Sequence, residues 1–360
     1  MDIEARIKRR QRRDGEPRLI QDYDSISPVT HVDEPADRGP LFERLLDHLD
    51  PVFDGELPTN AYVYGSGGVG KSAVVTALFS HLERLPTETR AVIHTSTRAQ
   101  SVTSPAFVYV DARVTTSEFA FYHAVLDALV EETVPEHGIG TETLRTRLRD
   151  ELSGSKVGVV VAVDHVGEPR SMAEDDFVEL FSSLPSNVSW LAIGRMSPAE
   201  TALTAHTDET IRVDSYPRQM LIDVLMMRSS NGLAQQALGR DLAGDIAEWA
   251  DGNAHDALAA LFIATDRAND AGRTKLTAED ISAAIKEMPL PCVSLGIVLA
   301  LPANRQAVLR ELVDLGPEER SSVTATTAAI GGSADVDLSP GTVKRFLYEM
   351  AEAGVVERVQ

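Results

Sequence analysis

The chain has 360 residues, 43% of them hydrophobic, and a formal charge of −21 from 55 acidic against 34 basic side chains. That length suits two or three domains at roughly 150 residues each, and no stretch approaches the ~18 consecutive apolar residues of a membrane span, so no membrane partner is expected. The basic start, "MDIEARIKRRQRRDGEPR", has no apolar region behind it, and the single cysteine, Cys292, cannot build a disulfide framework. Both features fit a reducing cytoplasm, with Cys292 a small buried hydrophobe.

The acidity alone argues against nucleic acid as a partner. The basic residues, however, are 28 Arg and only 6 Lys, and an acid-rich, lysine-poor chain also fits a salt-in halophile. At ~1 M salt the Debye length is about 3 Å, and net charge then says less about partners than local patches do.

Residues 1–40 are rich in charge, Pro and Gly and show no clean period. The run "RIKRRQRR" (Arg6 to Arg13) reads as a solvated tail or, more sharply, as a phosphate-contacting arm. From Leu41 the apolar residues Leu41, Phe42, Leu45, Leu46 and Leu49 predict a helix, stopped by Pro51 and "DGELP". "AYVY" predicts a buried strand. After a glycine-rich turn, Val74, Val75, Leu78, Phe79, Leu82 and Leu85 stripe one helix face. "PAFVYVDAR" (Pro105 to Arg113) is a second strand. Ser117 caps a helix whose stripe is Phe119, Tyr122, Val125, Leu126 and Leu129.

A helix near Thr141 to Leu152 precedes "VGVVVAV" (Val157 to Val163), a continuous apolar run of the kind covered on both faces of a sheet. A helix near Glu174 to Leu184 follows, then strands "WLAIG" and "TIRV". Strands alternating with helices imply a parallel sheet flanked by helices. Between Tyr216 and Met288 only helices are predicted, at Pro217 to Ser229, Asp241 to Ala250, Ala254 to Asn269 and Ala278 to Glu287. "PLPC" (Pro289 to Cys292) reads as a linker. Helices near Asn304 to Asp314 and Ser322 to Ile330 precede "LSPGTVKRFLYEMAEAGVVERVQ". There Ser339 caps, Pro340 takes the first helical position, and Val343, Phe346, Leu347 and Met350 form the buried stripe. Gly354 stops the helix and "VVERV" turns to strand, the outline of a winged helix-turn-helix. The expected organisation is an N-terminal segment (1–40), an α/β nucleotide-binding domain (41–215), an all-α lid (216–288) and a winged-helix domain (289–360).

"GSGGVGKS" satisfies G-x-x-x-x-G-K-S/T between a strand and a helix, the context that gives a P-loop its meaning. Gly65, Ser66, Gly67, Gly68, Val69 and Gly70 would present backbone N–H groups to phosphate, and Ala73 with Ser72 opens the helix whose N-terminus favours anions. Lys71 would reach the β- and γ-phosphates of ATP, and the Ser72 hydroxyl would bind Mg²⁺. A ligand-free glycine turn is the plain alternative. Asp164 ends the strand in "VVVAVDHVGEP", where a carboxylate can hold the hydrated Mg²⁺. The next residue is His165 where a water-orienting Glu is expected. A neutral imidazole is a poor substitute for a fixed carboxylate, so weakened hydrolysis is the expectation and an alternative base the other reading. Glu168, four residues past Asp164, is expected to point elsewhere.

With these elements placed, the chain resembles the archaeal origin-recognition/cell-division-control (ORC/CDC) family of AAA+ replication initiators. The residues that carry the likeness are "ADRGPLFERLLDHLDPVFDGELPTNAYVYGSGGVGKSAVV", "FVYVDARVTTSEFAFYHAVLDAL", "DSYPRQMLIDVLMMR" and "LSPGTVKRFLYEMAEAGVV". The resemblance implies an AAA+ domain, a helical lid and a C-terminal winged helix in a divergent member, and the composition adds a halophilic archaeon as the expected source. It also implies ATP or ADP with Mg²⁺, double-stranded DNA at origin-like sites, and a replicative helicase or initiator paralogues as partners. By that match Tyr216 would lie against the base of the nucleotide and Arg228 near its pocket. His255, in "GNAHDAL", would occupy the place of the family's sensor Arg. After the fourth strand "WLAIGRMS" offers Gly194, Arg195 and Ser197 where a polar sensor, often Asn, is usual. No Arg stands between Met196 and Ile211 to serve a neighbour as an arginine finger, a group worth about 10³–10⁵ in rate where present. These departures imply nucleotide binding with weak or absent turnover.

Thr342, Lys344 and Arg345 fall on the exposed side of the last helix, where a helix-turn-helix reads DNA. Glu349 and Glu352 lie close by, and a solvated face on a packing or protein-binding module is the plain alternative. A divergent regulator of replication or transcription, and an unrelated P-loop regulator whose winged helix binds protein, are the competing functions.

Overall fold

The computed structural model describes residues 18–30, 35, 38–92, 105–130, 132–135, 138–154, 158–168, 171–288, 298, 301–333, 336, 338–352, 355 and 356. The Arg6–Arg13 arm, the 289–292 linker with Cys292, and most of the expected terminal strand lie outside the described residues.

Five strands, β1 (Ala61–Tyr64), β2 (Ala106–Asp111), β3 (Val159–Asp164), β4 (Val188–Gly194) and β5 (Glu209–Arg212), form one sheet in the order β2-β3-β4-β1-β5. Every pairing is parallel. All six residues of β3 are buried, as its unbroken apolar run requires. Side chains alternate between faces along a strand, and the core divides accordingly. Val160 and Ala162 join Val63, Leu191 and Ile193 under α2 (Gly39–Leu49) and α3 (Lys71–Val92). Val159, Val161 and Val163 join Val108, Val110 and Trp190 under α4 (Glu118–Leu129), α5 (Thr141–Gly154) and α6 (Glu174–Ser182). Ser117 caps α4 by accepting from the Ala120 amide at 3.2 Å. That helix buries Phe121 fully, while Phe119, expected in its stripe, is only partly covered.

Helices α7 (Arg218–Gly232), α8 (Arg240–Ala250), α9 (Ala254–Asp270) and α10 (Ala278–Glu287) build the helical unit. Residues 18–30, placed by sequence in the N-terminal segment, pack into it. A short helix, α1 (Tyr23–Ile26), is capped by Asp22, and Leu19 and Ile26 belong to the lid core with Leu221, Leu225 and Leu233. The amides of Gln21 and Asp22 donate to the Gly232 carbonyl at 2.9 and 3.1 Å, and the Ala234 amide donates to the Leu19 carbonyl at 2.7 Å. Gly232 permits this approach, since a Cβ there would stand 2.7 Å from the Asp22 carbonyl oxygen.

At the C-terminus α11 (Ala303–Asp314), α12 (Val323–Gly331) and α13 (Pro340–Glu352) enclose their own core of Val308, Ile330, Val343, Phe346, Leu347 and Met350. Val355 and Val356 pack against it as bends, not strand, so among the described residues the unit is three helices without a wing. Among the described residues no helix is long and apolar enough to cross a membrane.

Phe177 is fully buried, with its ring 5.0 Å from that of Trp190 and nearly perpendicular to it, and 4.7 Å from that of Phe181. Phe177→Ala should cost about 3–5 kcal/mol. The expected result is a lower midpoint in denaturant with the slope unchanged.

Candidate nucleotide site

The parallel sheet brings the carboxyl ends of its strands to one edge. Tyr64 of β1 pairs with Gly194 of β4, and Asp111 of β2 with Asp164 of β3. The turn after β1, Asp164, and Arg195 after β4 therefore converge at the usual ligand edge of an open α/β sheet.

The glycine turn has the shape of a phosphate cradle. Gly68 and Gly70 have φ of 70° and 84°, and each is overlaid by the lid. A Cβ on Gly68 would sit 1.7 Å from Asn253 Oδ1, and one on Gly70 would be 3.0 Å from the Tyr216 hydroxyl. The Ala254 amide, at the start of α9, donates to the Gly68 carbonyl at 2.9 Å. Lys71 closes the turn into a ring, with Nζ donating to the carbonyl oxygens of Gly65 at 2.7 Å and Ser66 at 2.8 Å. An ammonium has three donors, so this geometry leaves it a third for phosphate. Burial pushes the Lys71 ammonium down to about 8, with Asp164 and Glu168 opposing and Arg195 assisting that shift. Val69 anchors the turn in the core, and Ser72 and Ala73 are half-buried in the first turn of α3.

Arg38, just before α2, ties this turn to the lid. It donates to the Val69 carbonyl at 2.6 Å and the Asp214 carbonyl at 3.0 Å, and its guanidinium lies 3.6 Å from the centre of the Tyr216 ring. Tyr216 is thus beside the glycine turn. Arg228 makes its contacts with the N-terminal segment. It is 3% exposed, and its guanidinium donates to the carbonyls of Ser27 and Thr30, so it braces the N-terminal segment against the lid. His255 meets the same segment through a hydrogen bond to the Pro28 backbone. Burial lowers its pKa, which leaves a neutral imidazole at pH 7, and its Nε2 is buried without a partner.

Asp164 is buried, its Oδ2 accepting from the Tyr109 hydroxyl at 2.6 Å and its Oδ1 from the His165 amide at 2.7 Å. Burial and the Asp164 carboxylate both push the Tyr109 phenol up. His165 adopts φ 63°, left-handed for a residue with a Cβ. Its ring lies between two carboxylates, with Nδ1 3.1 Å from Glu168 and Nε2 3.6 Å from Asp164. The left-handed step turns the chain back, and Glu168, expected to point away, faces the site. Its Oε1 also accepts from Arg195 Nε at 2.8 Å. Burial would raise the Glu168 pKa, but the His165 hydrogen bond and the Arg195 and Arg113 charges hold it below the usual range.

The ring of Lys71 and the helix start fit a nucleotide's phosphates. Among the described residues no group of three or more His, Cys, Asp or Glu could hold a metal ion by itself. A Mg²⁺ carried by the phosphates does not need such a cage, since it keeps several waters and takes few protein ligands. Ser72 and Asp164 are the residues that would hold it.

A family model for an AAA ATPase domain matches residues 34–193. The ORC1-type DNA replication protein 1 of Sulfolobus acidocaldarius is 24% identical over 320 residues, covering 85% of this chain and 76% of that protein. The chain is similar over most of its length to archaeal ORC1-type DNA replication proteins. Two solved structures share its fold. The Aeropyrum pernix ORC1 protein in complex with DNA aligns with a TM-score of 0.65 at 21% identity, covering 96% of this chain and 91% of that one. The A. pernix ORC2 protein with ADPNP and ADP aligns at 0.58 and 17%, covering 94% and 91%.

In the C-terminal unit, Lys344 and Arg345 are exposed on α13, and the Thr342 hydroxyl is 2.9 Å from Ser339 Oγ. Glu349 receives Arg305 at 2.7 Å and lies 3.5 Å from Arg345. Arg38, Asn253 and Glu168 were not picked out as site residues by sequence. Only the turn-forming Gly167 hinted at the return of Glu168.

Two outcomes follow for this site. Gly68→Ala forces a left-handed Ala against Asn253 and should cost about 1–3 kcal/mol of strain, read as weakened ATP binding and a loosened lid. Phosphate favours the charged Lys71, so apparent ATP affinity should be flat below pH 8. Above pH 8 it should fall towards roughly tenfold per pH unit, as titrations at pH 7, 8 and 9 would show.

Proposed function

We propose that this chain is an ATP·Mg²⁺-binding and DNA-binding replication-initiator-like protein in which nucleotide occupancy matters more than turnover. The observation that carries the reading is the Lys71 ring closed on Gly65 and Ser66 beside the buried Asp164. Backbone amides of Gly65 to Ala73 bind the phosphates, Ser72 and Asp164 hold Mg²⁺, and Tyr216, with Arg38 on its ring, borders the base. Bound Mg²⁺ supplies charge neutralisation at the phosphates. His255 and Arg228 act through the lid and the N-terminal segment. The names of the relatives support an initiator role, and the ADPNP and ADP complexes of the A. pernix protein support nucleotide binding.

Turnover is slow on this reading because His165 is engaged by two carboxylates and His255 carries no fixed charge. The C-terminal unit is a winged helix that reads double-stranded DNA through Thr342, Lys344 and Arg345, with the Arg6–Arg13 arm adding phosphate contacts. The A. pernix protein solved with DNA supports this. A replicative helicase or initiator paralogues are the partners and the cytoplasm the location. The acid excess fits a halophilic archaeon. One observation favours a protein-binding role for the same helix: Glu349 lies 3.5 Å from Arg345 and partly neutralises it.

Single-turnover hydrolysis tests the first part: a rate at ordinary ATPase levels that Lys71→Ala abolishes would sink it. For the second part, Lys344→Ala should weaken binding across DNA sequences and reduce the salt slope by about one. Arg345→Ala should do the same or relax base preference. Wild-type protein that retains no DNA in a selection experiment would transfer the helix to a protein partner. Mapping of bound DNA in cells separates initiator from regulator by enrichment at origins.

A further inference from the structure

The Asp164 carboxylate is held at both oxygens by the protein itself. The Tyr109 hydroxyl donates to Oδ2 at 2.6 Å, and the His165 amide donates to Oδ1 at 2.7 Å. The first distance is that of a charge-assisted bond between a hydroxyl and a carboxylate. The sheet register aims Tyr109 at this acceptor. Tyr109 of β2 pairs with Ala162 of β3, and Asp111 pairs with Asp164. Alternate residues share a face, so Tyr109, Asp111, Ala162 and Asp164 lie on the side of the sheet that α3 covers. Two carboxylates therefore stand ahead of the Tyr109 ring. Arg113 takes one of them, donating to Asp111 Oδ1 at 3.0 Å through Nε and to Oδ2 at 2.6 Å through Nη2. Asp164 is left as the acceptor for the phenol.

A carboxylate fixed in this way still has lone pairs with which to accept hydrogen bonds from the waters of a hydrated metal. To ligate the metal directly it must turn, and turning gives up the phenol or the amide. Divalent ions differ on this point. Mg²⁺ dehydrates reluctantly and keeps several waters, whereas Ca²⁺ takes more oxygen ligands, carboxylates among them, in flexible geometry.

We propose that Tyr109 is a positioning residue that sets the metal preference of the nucleotide site. It keeps Asp164 on the waters of a hydrated Mg²⁺ and withholds it from Ca²⁺ as a direct ligand. The proposal rests on the reading of Asp164 as a Mg²⁺ residue given above. Tyr109 acts only through Asp164, and Arg113 supports it by keeping Asp111 from competing for the same hydroxyl. Removal of the hydroxyl frees Oδ2, lets the carboxylate turn, and so favours the ion that accepts carboxylates readily.

The test is calorimetric titration of the full chain with a non-hydrolysable ATP analogue in excess Mg²⁺, in excess Ca²⁺, and in EDTA with no divalent ion. Turnover plays no part in any of the three. Wild-type protein should bind the analogue more tightly with Mg²⁺ than with Ca²⁺. Tyr109→Phe should lower that preference roughly tenfold, the scale of a charge-assisted hydrogen bond. The change should come chiefly from tighter binding with Ca²⁺, a gain that a misfolded variant would not produce. In EDTA the variant should match wild type within about twofold, because the phosphate turn is untouched. Equal weakening in all three conditions would overturn the proposal, since Tyr109 would then only pack the sheet. A Mg²⁺-to-Ca²⁺ preference that is unchanged or larger in Tyr109→Phe would also overturn it. If divalent ions leave wild-type affinity unaltered, the metal reading of Asp164 itself falls and takes the proposal with it. That outcome is distinct from a wild-type preference that the variant retains.

Discussion

A parallel sheet buried on both faces constrains where everything else can go. Each strand needs a helical crossover to return the chain to the same end, so every β-to-α turn opens on one edge. In the order β2-β3-β4-β1-β5 the turns after β1, β3 and β4 are neighbours. That adjacency sets Gly65, Asp164 and Arg195 together, although 130 positions separate the first from the last. β5 closes the group. The Val213 amide, just past it, donates to the Tyr64 carbonyl at 2.8 Å, and the Val213 carbonyl crowds Gly65 so closely that a Cβ there would be 2.3 Å from its oxygen. The chain then passes directly through Asp214 to Tyr216 and the lid. Pairing of the edge strand thus decides where the lid sits on the glycine turn.

The lid is tied back to that turn by contacts of different chemistry. The Ala254 amide reaches the Gly68 carbonyl, Arg38 holds Val69 and Asp214 together while stacking on Tyr216, and Gly68 leaves the room that Asn253 fills. Because residues 18–30 are part of the lid core, the chain crosses between lid and sheet before Arg38 as well as at Val213 to Tyr216. Arg228 makes the first crossing firm by satisfying the Ser27 and Thr30 carbonyls inside the protein, where backbone acceptors need partners. A movement of the lid relative to the sheet must therefore disturb the glycine turn. A ligand in the turn and the orientation of the lid are mechanically one system.

Much of this was legible from spacing. The β3 run, the Val74 to Leu82 stripe and the buried face of α13 are period signals, and they fell where the burial of the real elements falls. The strand–GSGGVGKS–helix context placed the turn. What spacing could not carry was side-chain direction after an unusual backbone step. His165 at φ 63° reverses the course of the chain, so the four-residue interval from Asp164 to Glu168 ceases to predict opposed directions. The N-terminal segment was hidden for another reason. It has two buried anchors, Leu19 and Ile26, in a charge-rich stretch too short for a period, and it is stabilised chiefly by backbone bonds to Gly232 and Ala234 that no side-chain pattern reports. The contacts of Arg228 were hidden with it, since its partners are the Ser27 and Thr30 carbonyls of that segment.

Binding and turnover draw on different parts of this site, and the chain treats the two parts differently. Ground-state affinity for phosphate comes from backbone amides, the N-terminus of α3 and Lys71, all set by the conformation of residues 65–73. That conformation is held from four sides, by Val69 in the core, Arg38, Asn253 and Val213. Rate depends instead on side chains aimed at charge that develops during reaction. In the resemblance those side chains stand at positions 165 and 255. Here one is an imidazole between Glu168 and Asp164, and the other is an imidazole kept neutral by burial. The resemblance would put a fixed cation at position 255, and a full charge at 4 Å is worth about 4 kcal/mol at the effective dielectric of a protein surface; a neutral ring would not supply a term of that kind. None of the backbone that binds phosphate is altered by it. On the proposed reading, a site built in this way would let a nucleotide persist on the protein, and persistence is the property that a state-marking ligand needs.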